Sequence, residues 1–178
     1  YFTDISKQDV KAAVRCGYEA HEKYMTAVEN EGEKAIEFAR RNSRRILVLA
    51  GRPYNIDMET GHGIDKLCES LGFVVVSEDS VWKKASEKPN VNVLNQWTYH
   101  SRLYNAAKFV TENEDAELCQ LVYFGCGVDA VTTDETRDIL EQGGKLYTQI
   151  KIDEISNLGA VRIRLRSLLG ALEEKEQK

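Results

Sequence analysis

Four short apolar runs, separated by helical patterns, constrain this chain more than any other feature. Arg45-Ile46-Leu47-Val48-Leu49-Ala50 is continuous, as expected of an inner parallel strand buried on both faces. Phe73-Val74-Val75-Val76, then Leu118 to Phe124, then Leu146 to Ile152 repeat the pattern. Between and after them the apolar spacing changes to that of a helix. Residues 60–71 set Ile64, Leu67, Cys68 and Leu71 on one face and close on Gly72. A helix from about 100 to 113 turns Leu103, Ala106, Ala107 and Val110 inward. Thr133 to Leu140 ends at Gly143-Gly144, and residues 157–175 align Leu158, Val161, Leu165, Leu168 and Leu172. Residues 77–96 read as a long irregular connection.

This order predicts an α/β fold: a doubly wound, Rossmann- or flavodoxin-like, four-stranded parallel sheet with helices on both faces. Right-handed crossovers favour strand order 2-1-3-4. Ahead of the sheet, residues 6–41 read as helical, with Asp4 or Ser6 as cap and Asn42-Ser43 as the end. Gly32 is expected to break or kink this stretch into two helices. The chain therefore divides into an N-terminal helical segment, 1–44, and an α/β domain, 45–178.

Its 178 residues fit one sizeable core, and 42 % apolar with 30 % charged residues is ordinary for a soluble protein. A net charge of -5 without a basic stripe argues against nucleic acid. No apolar run reaches the roughly 20 residues of a membrane helix, and the start shows no signal-peptide pattern. Beginning at Tyr1, the chain reads as a segment of a longer protein or one lacking its start. Cys16, Cys68, Cys119 and Cys126 form no CxxC pair and read as reduced thiols, which points to the cytoplasm. His21, His62 and His100 are too scattered for a local zinc motif.

With order 2-1-3-4 the chain reverses between strands 1 and 3, where open α/β sheets bind ligands. Two loops meet there, Gly51 to Asp57 and Gly125 to Ala130, and Asp153-Glu154-Ile155-Ser156-Asn157 opens on the same edge. Gly125 and Gly127 flank Cys126, so the backbone can bend and approach a ligand closely. Thr132-Thr133-Asp134-Glu135 looks like a capped helix start just after it, and a thiol near a helix N-terminus is more acidic. Cys126 is thus a nucleophile, a metal or cluster ligand, or a cysteine in a glycine bend.

A phosphatase-type loop would place arginine where Thr132 stands, and a thioredoxin-like site needs a second nearby cysteine. A Cys-His pair would need His62 or His100 brought in by folding. Gly125 to Ala130 also matches G-x-G-x-x-A in outline. It follows the third strand, however, carries Asp129 where a pyrophosphate would lie, and lacks an acidic ribose partner at the expected distance.

The first loop holds Arg52, Asn55, Asp57, Glu59 and His62. Arg52 could meet an anion or bond Asp57, so Arg52, Asn55 and His62 are candidate substrate- or anion-binding residues. In the fourth loop, Asp153 or Ser156 is expected to cap the last helix. Cys16, Cys68 and Cys119 look structural. Trp82, Trp97, Tyr99 and Tyr104 read as packing beneath the long connection; exposure would instead suggest a partner surface. No Walker-type loop appears, so ATP hydrolysis by this segment is not expected.

Gly51-Arg52-Pro53-Tyr54, Gly61-His62-Gly63-Ile64, Phe124-Gly125-Cys126-Gly127 with Asp129-Ala130, Thr132-Thr133-Asp134-Glu135 and Lys151-Ile152-Asp153-Glu154 together resemble a known family. It is the 2-hydroxyacyl-CoA dehydratase-related region of large bacterial CoA-substrate-specific enzyme activases, and the likeness runs from residue 45 to about 170. The resemblance implies a parent in which an ATP-hydrolysing activase part precedes a dehydratase-like part. Such dehydratase components hold an iron–sulfur cluster with cysteines from more than one domain. ATP-driven electron transfer supports removal of water from a 2-hydroxyacyl-CoA. Cys126 then resembles one metal ligand of a 4Fe-4S cluster, with Gly125 and Gly127 around it. A cubane usually takes four thiolates, or three and another ligand. The rest would come from the parent chain or from a dehydratase or activase partner, with an acyl-CoA as possible ligand. This segment alone is expected to be inactive and to hold no cluster.

Overall fold

A computed structural model describes residues 4–57, 59–123, 127–152 and 157–177. The strands are β1 (Ile46–Ala50), β2 (Val74–Ser77), β3 (Ala116–Val122) and β4 (Tyr147–Lys151). The helices are α1 (Lys7–Arg41), α2 (Ile64–Ser70), α3 (Glu78–Val81), α4 (Thr98–Thr111), α5 (Gly127–Gln142) and α6 (Gly159–Glu176). The strands form one parallel sheet in the order β2-β1-β3-β4. That is the order expected from right-handed crossovers. Ile46 stands opposite Ala116 and Ala50 opposite Gln120, so the carboxyl ends of β1 and β3 open together.

Each face of the sheet has its own core, because alternate side chains of a strand point to opposite faces. Ile46, Val48 and Ala50 join Val74, Leu118 and residues of α1, α3, α4 and α5 on one face. Leu47 and Leu49 join Cys119, Leu121, Ile150 and residues of α2 and α6 on the other. No helix among the described residues is long and apolar enough to cross a membrane.

Several local expectations change. The region around Gly32 is one uninterrupted helix of 35 residues, not two. Ser6 caps it: its hydroxyl accepts from the Asp9 N–H at 3.2 Å, and the Asp9 carboxylate accepts in return from the Ser6 N–H at 3.3 Å. Gly32 is buried against α3, where an added Cβ would lie 2.5 Å from the Ser80 Cβ. The glycine permits close approach of two helices and does not end one.

The last turns of α1 belong to the main core through Ile36 and Ala39, and Arg40 pairs with Asp115 at 2.8 Å just before β3. The connection after β2 is less irregular than expected, since α3 and a single turn at Trp82–Lys84 follow it directly. α2 begins at Ile64, four residues later than the sequence reading, because residues 59–63 form turns. Gly72 and Gly144 end α2 and α5 with φ of 99° and 73°, a region that suits glycine.

Candidate functional site

A cleft of about 510 Å³ opens where the chain reverses, at the carboxyl ends of β1 and β3. Gly51, Arg52, Pro53 and Tyr54 form one wall. The β1–α2 loop takes this path because Pro53 starts a single 3₁₀ turn, Pro53–Ile56. The Asn55 carboxamide oxygen folds back to accept from the Arg52 N–H. Trp97, Tyr99, His100 and Leu103 of the α4 region face this wall, and Gln120, Leu121, Val128, Asp129 and Thr132 close the floor and far side.

Arg52 and Asp129, 77 positions apart, meet across the cleft. Arg52 donates from Nε and Nη2 to the Asp129 Oδ1, at 3.3 and 3.0 Å. The other Asp129 oxygen accepts from the Tyr123 N–H at 2.9 Å, which ties α5 to the end of β3. Burial works against the Arg52 charge, but the Asp129 hydrogen bond and charge, with Tyr54, raise its pKa above the ordinary value. The expected bond from Arg52 to Asp57 is not made. Asp57 instead accepts from the N–H groups of Glu59 and Thr60, at 3.0 and 3.1 Å, within its own turn.

The aromatic residues correct the sequence reading most. Trp97 is 62 % and Tyr99 52 % exposed, so neither is packing beneath a connection. Trp97 and His100 lie 6.2 Å apart between ring centres, and His100 and Tyr104 6.5 Å. The rings therefore step from the cleft mouth toward Tyr104, which is buried, with its hydroxyl unpaired. Burial, and then the Arg52 charge, lower the His100 pKa, while Asp129 pulls the other way. The imidazole is therefore neutral near pH 7, a base or hydrogen-bonding group and not a cation. Which positions at the start of α4 meet a loop from another strand follows no periodic rule, so nothing in the sequence announced that Trp97, Tyr99 and His100 would line the same cleft as Arg52.

The remaining candidates scatter. Asn55 is buried and lines a separate hollow of about 210 Å³, with Asp57, Asp65 and Glu69, at the ends of β1 and β2. His62 is exposed on a left-handed turn with φ 50° and is not among the residues lining the cleft. Gly127 is exposed and begins α5. Phe124, Gly125 and Cys126 lie outside the described residues, as do Asp153, Glu154, Ile155 and Ser156.

The expected helix start at Thr132-Thr133 is instead the second turn of α5. There the two hydroxyls donate to the Asp129 and Ala130 carbonyls, at 3.1 and 2.9 Å. Such back-bonding explains why a cap-like sequence sits inside a helix. Asn157 accepts from the Gly159 N–H at 2.9 Å at the start of α6.

The first 81 residues match a family model. The model is that of a CoA enzyme activase uncharacterised domain, and the match is consistent with an activase-related region over residues 1–81. No curated protein and no solved structure matches the chain. The activase-related region runs from α1 to α3, and contributes Gly51 to Tyr54 to the cleft. The facing wall, from Trp97 to Thr132, lies beyond it.

The described residues do not fit an iron–sulfur cluster. No group of three or more His, Cys, Asp or Glu side chains among them is placed to hold a metal. Cys68 is buried, and burial, then Asp65 and Glu69, push its thiol up to about 12. Burial raises Cys119 further, with Cys68 adding to it. Thiols held protonated are poor ligands, because the thiolate binds metal. Cys16 is exposed on α1, nine residues before Met25, the first buried residue of that helix. At about 1.5 Å per residue that is ~13 Å along the helix axis.

Proposed function

We propose that this chain is a ligand-binding α/β domain of an activase-related protein of the 2-hydroxyacyl-CoA dehydratase type, and that its cleft receives part of an acyl-CoA. The observation that carries this reading is that exposed rings and Arg52 line one cleft at the point where the strand order reverses. Adenine or a flat acyl group stacks on Trp97 and Tyr99, a contact worth ~1 kcal/mol per ring pair beyond buried area. The Arg52–Asp129 pair offers the polar end, and Leu103, Leu121 and Val128 offer apolar surface. Neutral His100 accepts a hydrogen bond from the ligand or takes up its proton.

Cys126 enters the same reading as one thiolate of a 4Fe-4S cluster completed by the rest of the parent chain or a dehydratase or activase partner. Its glycine neighbours support a close approach of backbone to such a group. A bound cluster would supply one-electron chemistry; the described residues would shape and bind the ligand beside it.

One observation favours a second reading, a nucleotide or small-molecule module without a redox role: the ring-lined cleft stands without any ligand set for metal among the described residues. Calorimetric titration with CoA, an acyl-CoA and ATP separates the two. The first reading predicts heat with CoA and its ester that Trp97→Ala and Tyr99→Ala reduce at least tenfold in affinity. Heat with ATP alone favours the second. No heat with any of the three refutes both. In the parent protein, Cys126→Ser should lower cluster absorbance after anaerobic reconstitution with iron and sulfide, and unchanged absorbance would remove the ligand role.

A further inference from the structure

The apolar stripe of α1 continues past the domain on which the helix docks. At about 100° per residue, Met25, Gly32, Ile36 and Ala39 share one face, and all four are buried. Val10, Val14, Tyr18 and His21 fall within the same ~80° sector, so the stripe runs back to Val10, with Lys7 on the same face at the first turn. Yet Val10 and Val14 are 50 % and Tyr18 is 72 % exposed. Every residue from Asp4 to Tyr24 is exposed. At 1.5 Å per residue, roughly 27 Å of helix projects with its apolar face uncovered. Most helical stability in proteins comes from packing an amphipathic face, and here that face is unpacked.

Charge says what covers it. Along one border of the stripe lie Lys11, Arg15, Glu22, Glu29 and Glu33. Where α1 is docked, this border is satisfied by the domain: Glu29 pairs with Lys83 at 2.5 Å, and Glu33 pairs with Lys84. Along the projecting part, Lys11, Arg15 and Glu22 make no ion pair among the described residues. The opposite border there, Gly17 and Tyr24, carries no charge.

We propose that the projecting half of α1 is a self-association surface on which a second copy of this chain lays its own α1 antiparallel. In an antiparallel pair each border meets itself run backwards, so Lys11 and Arg15 of one copy face Glu22 of the other. A parallel pair would set this charged border against the uncharged one. The match is therefore self-complementary in one orientation. Val14 and Tyr18 fill the seam, and the two domains lie at opposite ends. A contact this short is at the small end of specific interfaces, below about 1,200 Å², so the dimer is a weak, reversible one. The inference stands apart from the ligand proposed for the cleft.

Sedimentation equilibrium on the 178-residue chain tests it, across about 5 to 500 µM. The expected result is a reversible monomer–dimer equilibrium. Val14→Glu with Tyr18→Glu should weaken it at least ~10-fold, as loss of the central apolar contacts of an interface does. Glu22→Lys should weaken it several-fold at low salt, and adding Lys11→Glu and Arg15→Glu should restore it. None of these side chains touches the domain, so far-UV circular dichroism and the melting temperature should match the parent chain. A monomer at every concentration, a dimer indifferent to the Val14 and Tyr18 changes, or a charge reversal that fails to restore binding would each overturn the proposal.

Discussion

Gly32 offers the sharpest test of the packing, because two effects oppose each other there. In a helix interior, glycine to alanine ordinarily gains about 1 kcal/mol from propensity. At Gly32 the new methyl would lie 2.5 Å from the Ser80 Cβ, 2.8 Å from its Oγ and 3.4 Å from its carbonyl oxygen. Ser80 cannot swing away cheaply, since it is buried and its hydroxyl donates to the Ser77 carbonyl at 2.7 Å. Overpacking a core typically costs 1–3 kcal/mol, and a 2.5 Å approach falls in the upper part of that range, so after the propensity gain Gly32→Ala should lose about 1–2 kcal/mol. For a chain of this size that lowers Tm by ~3–6 °C.

Gly170 is the control. It lies in α6 with no atom within 4 Å of an added Cβ, so Gly170→Ala should gain up to ~1 kcal/mol. Ser80→Gly removes the obstructing Cβ, and in the double variant with Gly32→Ala the two changes should couple favourably by ~1 kcal/mol or more. Urea unfolding of the unmutated chain and the four variants measures all these terms. A Gly32→Ala chain as stabilised as Gly170→Ala would refute the close approach of α1 and α3.

Two further predictions concern buried polar groups. Asp129→Ala should cost ~2–3 kcal/mol by urea unfolding, since it removes a carboxylate to which Arg52 and the Tyr123 N–H both donate, whereas Lys34→Ala, in an ion pair about 70 % exposed at each partner, should cost almost nothing. Equal effects would deny the cross-cleft pair. Burial, and then Asp79, push Glu78 from its ordinary 4.5 up to about 8. The folded state therefore holds that proton more tightly than the unfolded chain, and stability should fall as pH rises from about 4.5 to about 8. Glu78→Gln should flatten this slope; an unchanged profile would contradict the burial.

The sheet was legible in the sequence because its information is periodic. Ile46 to Ala50 is apolar without interruption, as a strand between β2 and β3 must be. What was misread depended on contacts between distant positions. Gly32 carries a helix-breaking propensity, but its meaning is set by Ser80, 48 positions away. Thr132 and Thr133 look like caps because their hydroxyls do bond backbone, though to carbonyls inside α5 and not to N–H groups at its start.

The site was half legible. The strand reversal predicted where the cleft would be and Arg52 as one of its walls. The rings that face Arg52 come from α4 and the turn before it, where exposure leaves no pattern. Asp129 was read as an obstacle to a pyrophosphate, and it is the partner that fixes Arg52. Cys126, the glycine-flanked thiol, lies outside the described residues.

Amide and indole chemical-shift mapping with an acyl-CoA tests the central claim most directly. The cleft reading predicts saturable shifts at the Trp97 indole, Tyr99, Tyr54, Gly51 and Val128, with the hollow around Asp65 and Glu69 unmoved. Shifts confined to that second hollow, or none at millimolar acyl-CoA, would contradict it.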